Sequence, residues 1–186
     1  RFIMLKTVIA VCGPRLSGKD TVADILSKLL GYKKTPLAEA LKEEYAELHD
    51  IPISVVYDQG PEKEQHRMGL ITLGTVRRIQ DIEWWCSAVK NKNENESIIL
   101  SDLRYKNEIG YFVEHSDNFI LIRIGAKVDT LRERGWKASP SDKDKSETSQ
   151  ELFKEDFIVY NNGTMEDLEE QLVKVIDSIF KQTKEN

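Results

Sequence analysis

Read for its apolar and polar positions, the chain alternates between short runs rich in Val and Ile and longer stretches whose apolar residues recur every three to four positions. The short runs predict strands at Thr7–Cys12, Ser97–Leu100, Asn118–Ile124 and Phe157–Tyr160, since a strand covered on both faces loses the polar alternation of a half-exposed one. The stretches between them predict helices. The first carries Val22, Ala23, Ile25, Leu26, Leu29 and Leu30 and stops at Gly31, a residue type favoured where helices end. A second places Leu37, Leu41, Tyr45 and Leu48 at i, i+4, i+8 and i+11, on one face. A third region, from Glu62 to about Val89, holds Met68, Leu70, Ile71, Leu73, Val76, Ile79, Ile82, Trp84 and Trp85, punctuated by Arg67, Arg77 and Arg78. The last helix packs Leu168, Leu172, Val175, Ile176 and Ile179 and starts at Thr164, a plausible N-cap before an acidic first turn. Strands alternating with helices, with no internal repeat, predict a three-layer α/β/α fold around a mainly parallel sheet.

Two stretches break the pattern. Asn91–Glu96, NKNENE, reads as a polar connecting loop. Ala138–Gln150, ASPSDKDKSETSQ, is longer and almost free of apolar residues, as lids and loop tips are.

Composition narrows the class. A length of 186 residues suits one domain spanning 1–186 with a single core. No apolar run approaches the roughly 20 residues of a membrane helix, and RFIM before Lys6 reads as strand lead-in rather than a signal peptide. A soluble protein without a membrane partner is expected. The 27 Lys and Arg against 32 Asp and Glu leave a net charge of −5, which argues against coating a nucleic acid polymer, so any basic site must be local. The two cysteines, Cys12 and Cys86, read as reduced, core-facing thiols, so a cytoplasmic or similarly reducing compartment is expected. Neither they nor His49, His66 and His115 have metal-ligand spacing.

Chemistry concentrates at Gly13-Pro-Arg-Leu-Ser-Gly18-Lys19, which fits the G-x-x-x-x-G-K phosphate loop between an apolar strand and an amphipathic helix. Glycines allow the tight turn that points successive amides at phosphate oxygens; the helix adds its positive end, and Lys19 reaches the outer phosphates. Gly13, Arg15, Ser17, Gly18, Lys19, Asp20 and Thr21 are the nucleotide-binding candidates here. Asp20 stands where Ser or Thr usually meets Mg²⁺, and a carboxylate can hold the ion's water shell. SIILSDLR, Ser97 to Arg104, ends a strand at Ser101, Asp102 and Arg104, and the carboxyl ends of parallel strands face the ligand crevice. Asp102 is thus a catalytic and metal candidate with Asp20, its alternative role being a helix cap. Phosphoryl transfer needs cations converging on donor and acceptor, for which Arg15, Lys42, Lys63, Arg67, Arg78, Arg104, Arg123, Arg132 and Arg134 are available. Arg132 and Arg134, in LRERGW before the polar loop, could swing in as a lid closes. Trp84 and Trp85 read as core or pocket wall.

SGKD at 17–20, LKEEYAELH at 41–49, KEQHR at 63–67, Arg78, Cys86, SDLR at 101–104, RGW at 134–136, SE at 146–147 and LEEQL at 168–172 together resemble the animal-type phosphomevalonate kinases, a branch of the nucleoside-monophosphate-kinase-like P-loop enzymes. The similarity runs without a gap from Leu41 to Phe112. It implies transfer of the γ-phosphate of ATP, with Mg²⁺, to mevalonate 5-phosphate. It further implies acceptor-binding helices at about 36–90 and a lid at about 126–150. On this resemblance Lys19 and Arg15 accompany the phosphate loop, and Lys42, Lys63, Arg67, Arg78 and Arg104 serve the phosphorylated small-molecule substrate. Arg123, Arg132 and Arg134 then fall in the ATP and lid regions, in a monomer or homodimer. Tyr105, Pro14 and Ser87 stand where that family tends to carry basic residues. The chain also resembles the deoxynucleoside monophosphate kinases at SDLRYKNE, at LGT (Leu73 to Thr75) and at NNGT (Asn161 to Thr164), which implies a nucleotide acceptor with Asn161 or Asn162 near adenine. A nucleotide-binding regulator without transfer is the remaining alternative.

Overall fold

The computed structural model describes residues 4–57, 61–137, 150 and 153–185, with backbone alone for 61–64 and 182–185. Five strands, β1 (Leu5–Cys12), β2 (Lys33–Lys34), β3 (Ile98–Leu100), β4 (Ser116–Gly125) and β5 (Phe157–Tyr160), form a sheet in the order β2-β3-β1-β4-β5. Every pairing is parallel, with Val8 opposite Ile98 and Phe119, and Cys12 opposite Arg123. The described helices are α1 (Lys19–Leu30), α2 (Leu37–Leu48), α3 (Ile53–Tyr57), α4 (Pro61–Gln80), α5 (Trp84–Lys92), α6 (Lys106–Glu114), α7 (Val128–Glu133) and α8 (Met165–Glu185).

The strand pleat divides the core in two. Val8, Ala10 and Cys12 of β1 point, with Ile98, Leu100 and Leu121, into a layer closed by Leu37, Trp85, Cys86, Val89, Tyr111 and Phe112. Ile9 and Val11 point the other way, with Ile99, Ile122 and Ile124, onto Val22, Ala23 and Leu26 of α1 and Leu168, Leu172, Val175 and Ile179 of α8. Helices therefore cover both faces, and Val8 through Cys12 are all buried, as their unbroken apolar run requires. Fully burying each of that run's Val and Ile side chains contributes about 1.5–3 kcal/mol.

Helix ends follow local chemistry. Gly31 stops α1 at φ +69° with its amide donating to the Ser27 carbonyl at 2.9 Å. Thr164 Oγ1 accepts from the Asp167 amide at 3.2 Å while Asp167 Oδ2 accepts from the Thr164 amide at 2.9 Å, a reciprocal cap that starts α8. The apolar region from Glu62 to Val89 divides into α4 and α5, where Asp81 Oδ1 accepts from the Glu83 amide at 2.9 Å and turns the chain. Trp85 is core and Trp84 lies over the Arg77 guanidinium, so both pack rather than present a free stacking face.

Three features differ from the sequence pattern. β2 is an additional strand, short and polar because it lies at the sheet edge beyond β3. Asn93, read as part of a loop, is buried; its amide donates to the Val89 carbonyl at 2.7 Å and its oxygen accepts from Lys33 Nζ at 3.2 Å. Gln150, at the end of the polar stretch, is also buried, whereas 138–149 lie outside the described residues. Among the described residues no helix is long and apolar enough to cross a membrane.

Candidate active site

Strand β1 ends in the middle of the sheet, where the chain order reverses between β3 and β4, and residues 13–18 turn there into α1. Gly13 takes φ +142° and Gly18 φ +96°, conformations open to glycine. A Cβ on Gly13 would strike the Ile124 carbonyl, and one on Gly18 the Asn161 side-chain amide. Leu16, at φ +64°, is left-handed without being glycine, a strained residue of the kind concentrated at functional turns. Lys19 Nζ reaches back across the loop to the carbonyls of Gly13 and Pro14, each at 2.9 Å. Arg15 projects at the exposed tip and Thr21 lies half-buried in the first turn of α1. Ser17 is fully buried, and its Oγ finds no protein partner. An orphan hydroxyl, a glycine-lined turn and a lysine crossing it at a helix N-terminus fit a polyphosphate.

The loop is braced from outside. Asn161, at the end of β5, donates from Nδ2 to the Ser17 carbonyl at 2.9 Å. Arg134 donates to the Leu16 and Ser17 carbonyls at 3.3 Å and to Asn161 O and Oδ1 at 2.9 and 3.1 Å. Gln150 Oε1 accepts from the Gly13 amide at 3.0 Å. Arg134, expected to swing in with a lid, is instead seated on the loop backbone, where its planar fork matches several carbonyls at once.

Asp20 is exposed at the start of α1, where Ser101 at the end of β3 donates to its Oδ1 at 3.2 Å and Lys34 pairs with it at 3.1 Å. Lys34 also pairs with Asp24 at 2.9 Å; burial opposes its charge, but these two partners carry the ammonium above its ordinary range. Asp102 has another role than the catalytic and metal one expected of it. Both its oxygens are spent on the amides of Leu37 and Ala38, each at 2.8 Å, which caps α2. Burial pushes its carboxyl above the ordinary range, against the pull of those amides and of Arg104. Of the two metal candidates, Asp20 is exposed, whereas Asp102 is half-buried with an amide on each oxygen. Among the described residues no group of three or more His, Cys, Asp or Glu could hold a metal unaided.

Beyond α1 the expected acceptor cations sit on α2, α4 and the turn after β3. Lys42 lies over the Tyr57 ring at 4.3 Å, Arg67 is exposed on α4, and Arg104 is exposed directly after the β3 turn. Lys63 belongs to α4, its side chain outside the described part. Arg78 packs over the Tyr105 ring at 5.3 Å and pairs with Glu108 at 3.5 Å. Glu108 is buried and also accepts from the amides of Arg104 and Tyr105 at 2.7 and 3.0 Å. Burial pushes its carboxyl upward while those amides and Arg78 pull it back. A neighbouring knot ties the helices together: Arg77 and the Trp84 indole both donate to Glu44, at 2.6 and 2.9 Å.

Three expected nucleotide and lid residues are used otherwise. Arg123 donates to Glu155 at 3.0 Å and to the carbonyls of Gln150 and Phe153 at 2.8 and 3.2 Å, so it anchors the return segment. Arg132 makes an exposed pair with Asp129 at 3.2 Å. Asn162 Oδ1 accepts from the Lys127 amide at 2.7 Å, and it is Asn161 that meets the loop. Lys34, Gln150 and Glu108 act at or beside the site without having carried a sequence signal strong enough to single out that role, while Asn161, a candidate from the NNGT stretch, braces the loop.

Comparison with known proteins agrees with this geometry. The family described as phosphomevalonate kinase matches residues 11–118, more than half of the 186. The phosphomevalonate kinase of Drosophila melanogaster is 28% identical over 141 residues, covering 72% of this chain and 74% of the relative. Shikimate kinase from Aquifex aeolicus superposes with a TM-score of 0.52 at 14% identity, over 92% of this chain and 96% of that one. A gluconokinase from Sinorhizobium meliloti gives 0.52 at 15%, over 98% and 99%. At such identities the structures speak for the fold, that of the P-loop kinases. With its phosphate loop, parallel sheet and matched span taken together, the chain belongs to the phosphomevalonate kinase family, and is an ATP-dependent phosphotransferase.

Proposed function

We propose that this kinase transfers the γ-phosphate of ATP to the phosphate of mevalonate 5-phosphate, forming mevalonate 5-diphosphate and ADP. The observation that carries the reading is the family match, which spans the phosphate loop and every proposed acceptor cation from Lys42 to Arg104. An acceptor phosphate oxygen attacks Pγ, the bond from Pγ to the bridging oxygen of ADP breaks, and the electron pair leaves with ADP. The attacking oxygen is already ionised, so no general base is required, and Asp102 is free to remain a cap. What the chain must supply is position and positive charge. Lys19 and the loop amides hold the donor phosphates, while Lys42, Lys63, Arg67, Arg78 and Arg104 offset the charge of an acceptor bearing a phosphate and a carboxylate. Mg²⁺, when bound with ATP, neutralises and orients the donor phosphates, and Asp20 with Ser101 would hold its water shell. In this reading residues 36–90 form the acceptor half.

ADP release from Mg-ATP, followed with mevalonate 5-phosphate beside a panel of deoxynucleoside monophosphates, tests the assignment. Turnover with mevalonate 5-phosphate is expected. Turnover confined to a nucleotide would replace the acceptor, and ATP binding without acceptor-dependent release would remove the activity.

A further inference from the structure

We propose that Glu108 is the positioning residue of the acceptor site, one buried carboxylate that holds the Arg78 guanidinium against the backbone turn from which Arg104 projects. The inference rests on the acceptor role proposed above for those two arginines. They come from separate elements, α4 and the turn after β3, and no ion pair or hydrogen bond joins one to the other among the described residues. Glu108 touches both segments with different atoms. Its Oε1 pairs with the Arg78 guanidinium at 3.5 Å, and its Oε2 takes the amides of Arg104 and Tyr105 at 2.7 and 3.0 Å.

Placement argues for a role beyond capping. Exposed capping carboxylates are common and inexpensive, but Glu108 is only 2% exposed, where an unpaired charge costs several kcal/mol. Two amides alone could be satisfied by a neutral oxygen. The second oxygen faces a cation, and that cation is held at a second point by the Tyr105 ring. Arg78 is still about a third exposed, and its guanidinium carries five N–H donors, more than one carboxylate oxygen uses. A guanidinium anchored on one side and open on the other is preoriented for a phosphate, which lowers the cost of ordering it on binding.

The two oxygens can be separated experimentally. E108Q keeps one oxygen for the amides of Arg104 and Tyr105 but turns a neutral amide toward Arg78. The protein should melt a few degrees below wild type, with the acceptor KM raised about tenfold as the ion pair that orients Arg78 is lost, and the KM for Mg-ATP unchanged. In an R78A background the same change should have no further effect on kcat/KM for the acceptor. E108D, which retains the charge one methylene further back, should fall between. A normal acceptor KM in both E108Q and E108D, or a full additional loss in R78A, overturns the proposal. Where E108Q fails to fold, E108D decides by the same acceptor KM. Wild-type protein that turns over no phosphate acceptor at all would overturn the acceptor reading and this proposal together, an outcome distinct from active wild type with indifferent variants.

Discussion

Exchanging Asp102 for asparagine asks whether the carboxylate at the end of β3 is a cap or a metal ligand. In the folded chain its two oxygens accept from two amides at the start of α2, both at 2.8 Å. Asparagine offers one acceptor and one NH₂, so one amide keeps its partner and the other meets a donor. An unsatisfied, partly buried amide costs about 1–3 kcal/mol, with about 2 kcal/mol as the central value. For a chain of 186 residues that corresponds to a fall in Tm of roughly 4–8 °C. The penalty also has a pH signature. Burial raises the folded carboxyl above the ordinary Asp value of 3.8. The folded state thus binds this proton more tightly than the unfolded one, and the wild-type contribution declines as pH rises from the unfolded value through the folded one. Asparagine lacks that slope, so D102N is furthest below wild type at the acidic end and closer to it at neutral pH. Thermal melts from acid to neutral pH, paired with turnover against Mg²⁺ concentration, provide the assay. D102N should melt lower, and because α2 carries Lys42, its acceptor KM should rise with no change in the Mg²⁺ requirement. An unchanged Tm with a steeply raised Mg²⁺ requirement would refute the capping argument.

K19A should lower kcat by about a thousandfold or more with little change in Tm, since it removes charge at the donor phosphates while Asn161, Arg134 and Gln150 still brace the loop; kinetics at saturating ATP check this. G18A should lose both stability and ATP binding, because the added Cβ meets Asn161 and the backbone is left-handed there. Calorimetry and nucleotide titration measure the two losses, which G110A should not share since Gly110 has open space around it. Thiol labelling of the folded protein at pH 8 should be slow, as burial pushes Cys12 up to about 11 and Cys86 higher still, and should become fast in denaturant.

Local pattern made the phosphate loop legible because strand, glycine turn and amphipathic helix are contiguous from Leu5 to Leu30. The same holds for α2, which the apolar spacing from Leu37 to Leu48 describes to the residue. Edge strand β2 was hidden, since two lysines paired on one side need no apolar face. The capping half of Glu108 was readable from its position three residues into α6, but its bond to Arg78 was not. Asp102 meets α2 across 64 and 65 positions, and Arg134 meets the loop across 117 and 118. Such partners are chosen by the sheet order, which sets β3 and β4 on either side of β1 and β5 beyond β4 only after folding. That is why the residue types that do chemistry were recognisable, while the division between those facing a ligand and those bracing its cradle was not.

Phosphate transfer is read directly by ³¹P NMR of the wild-type enzyme incubated with Mg-ATP and mevalonate 5-phosphate. The acceptor's monoester resonance should give way to the paired doublets of a diphosphate while ADP accumulates in equal amount. An acceptor resonance that persists while ATP decays only to ADP and inorganic phosphate, or does not decay at all, would contradict it.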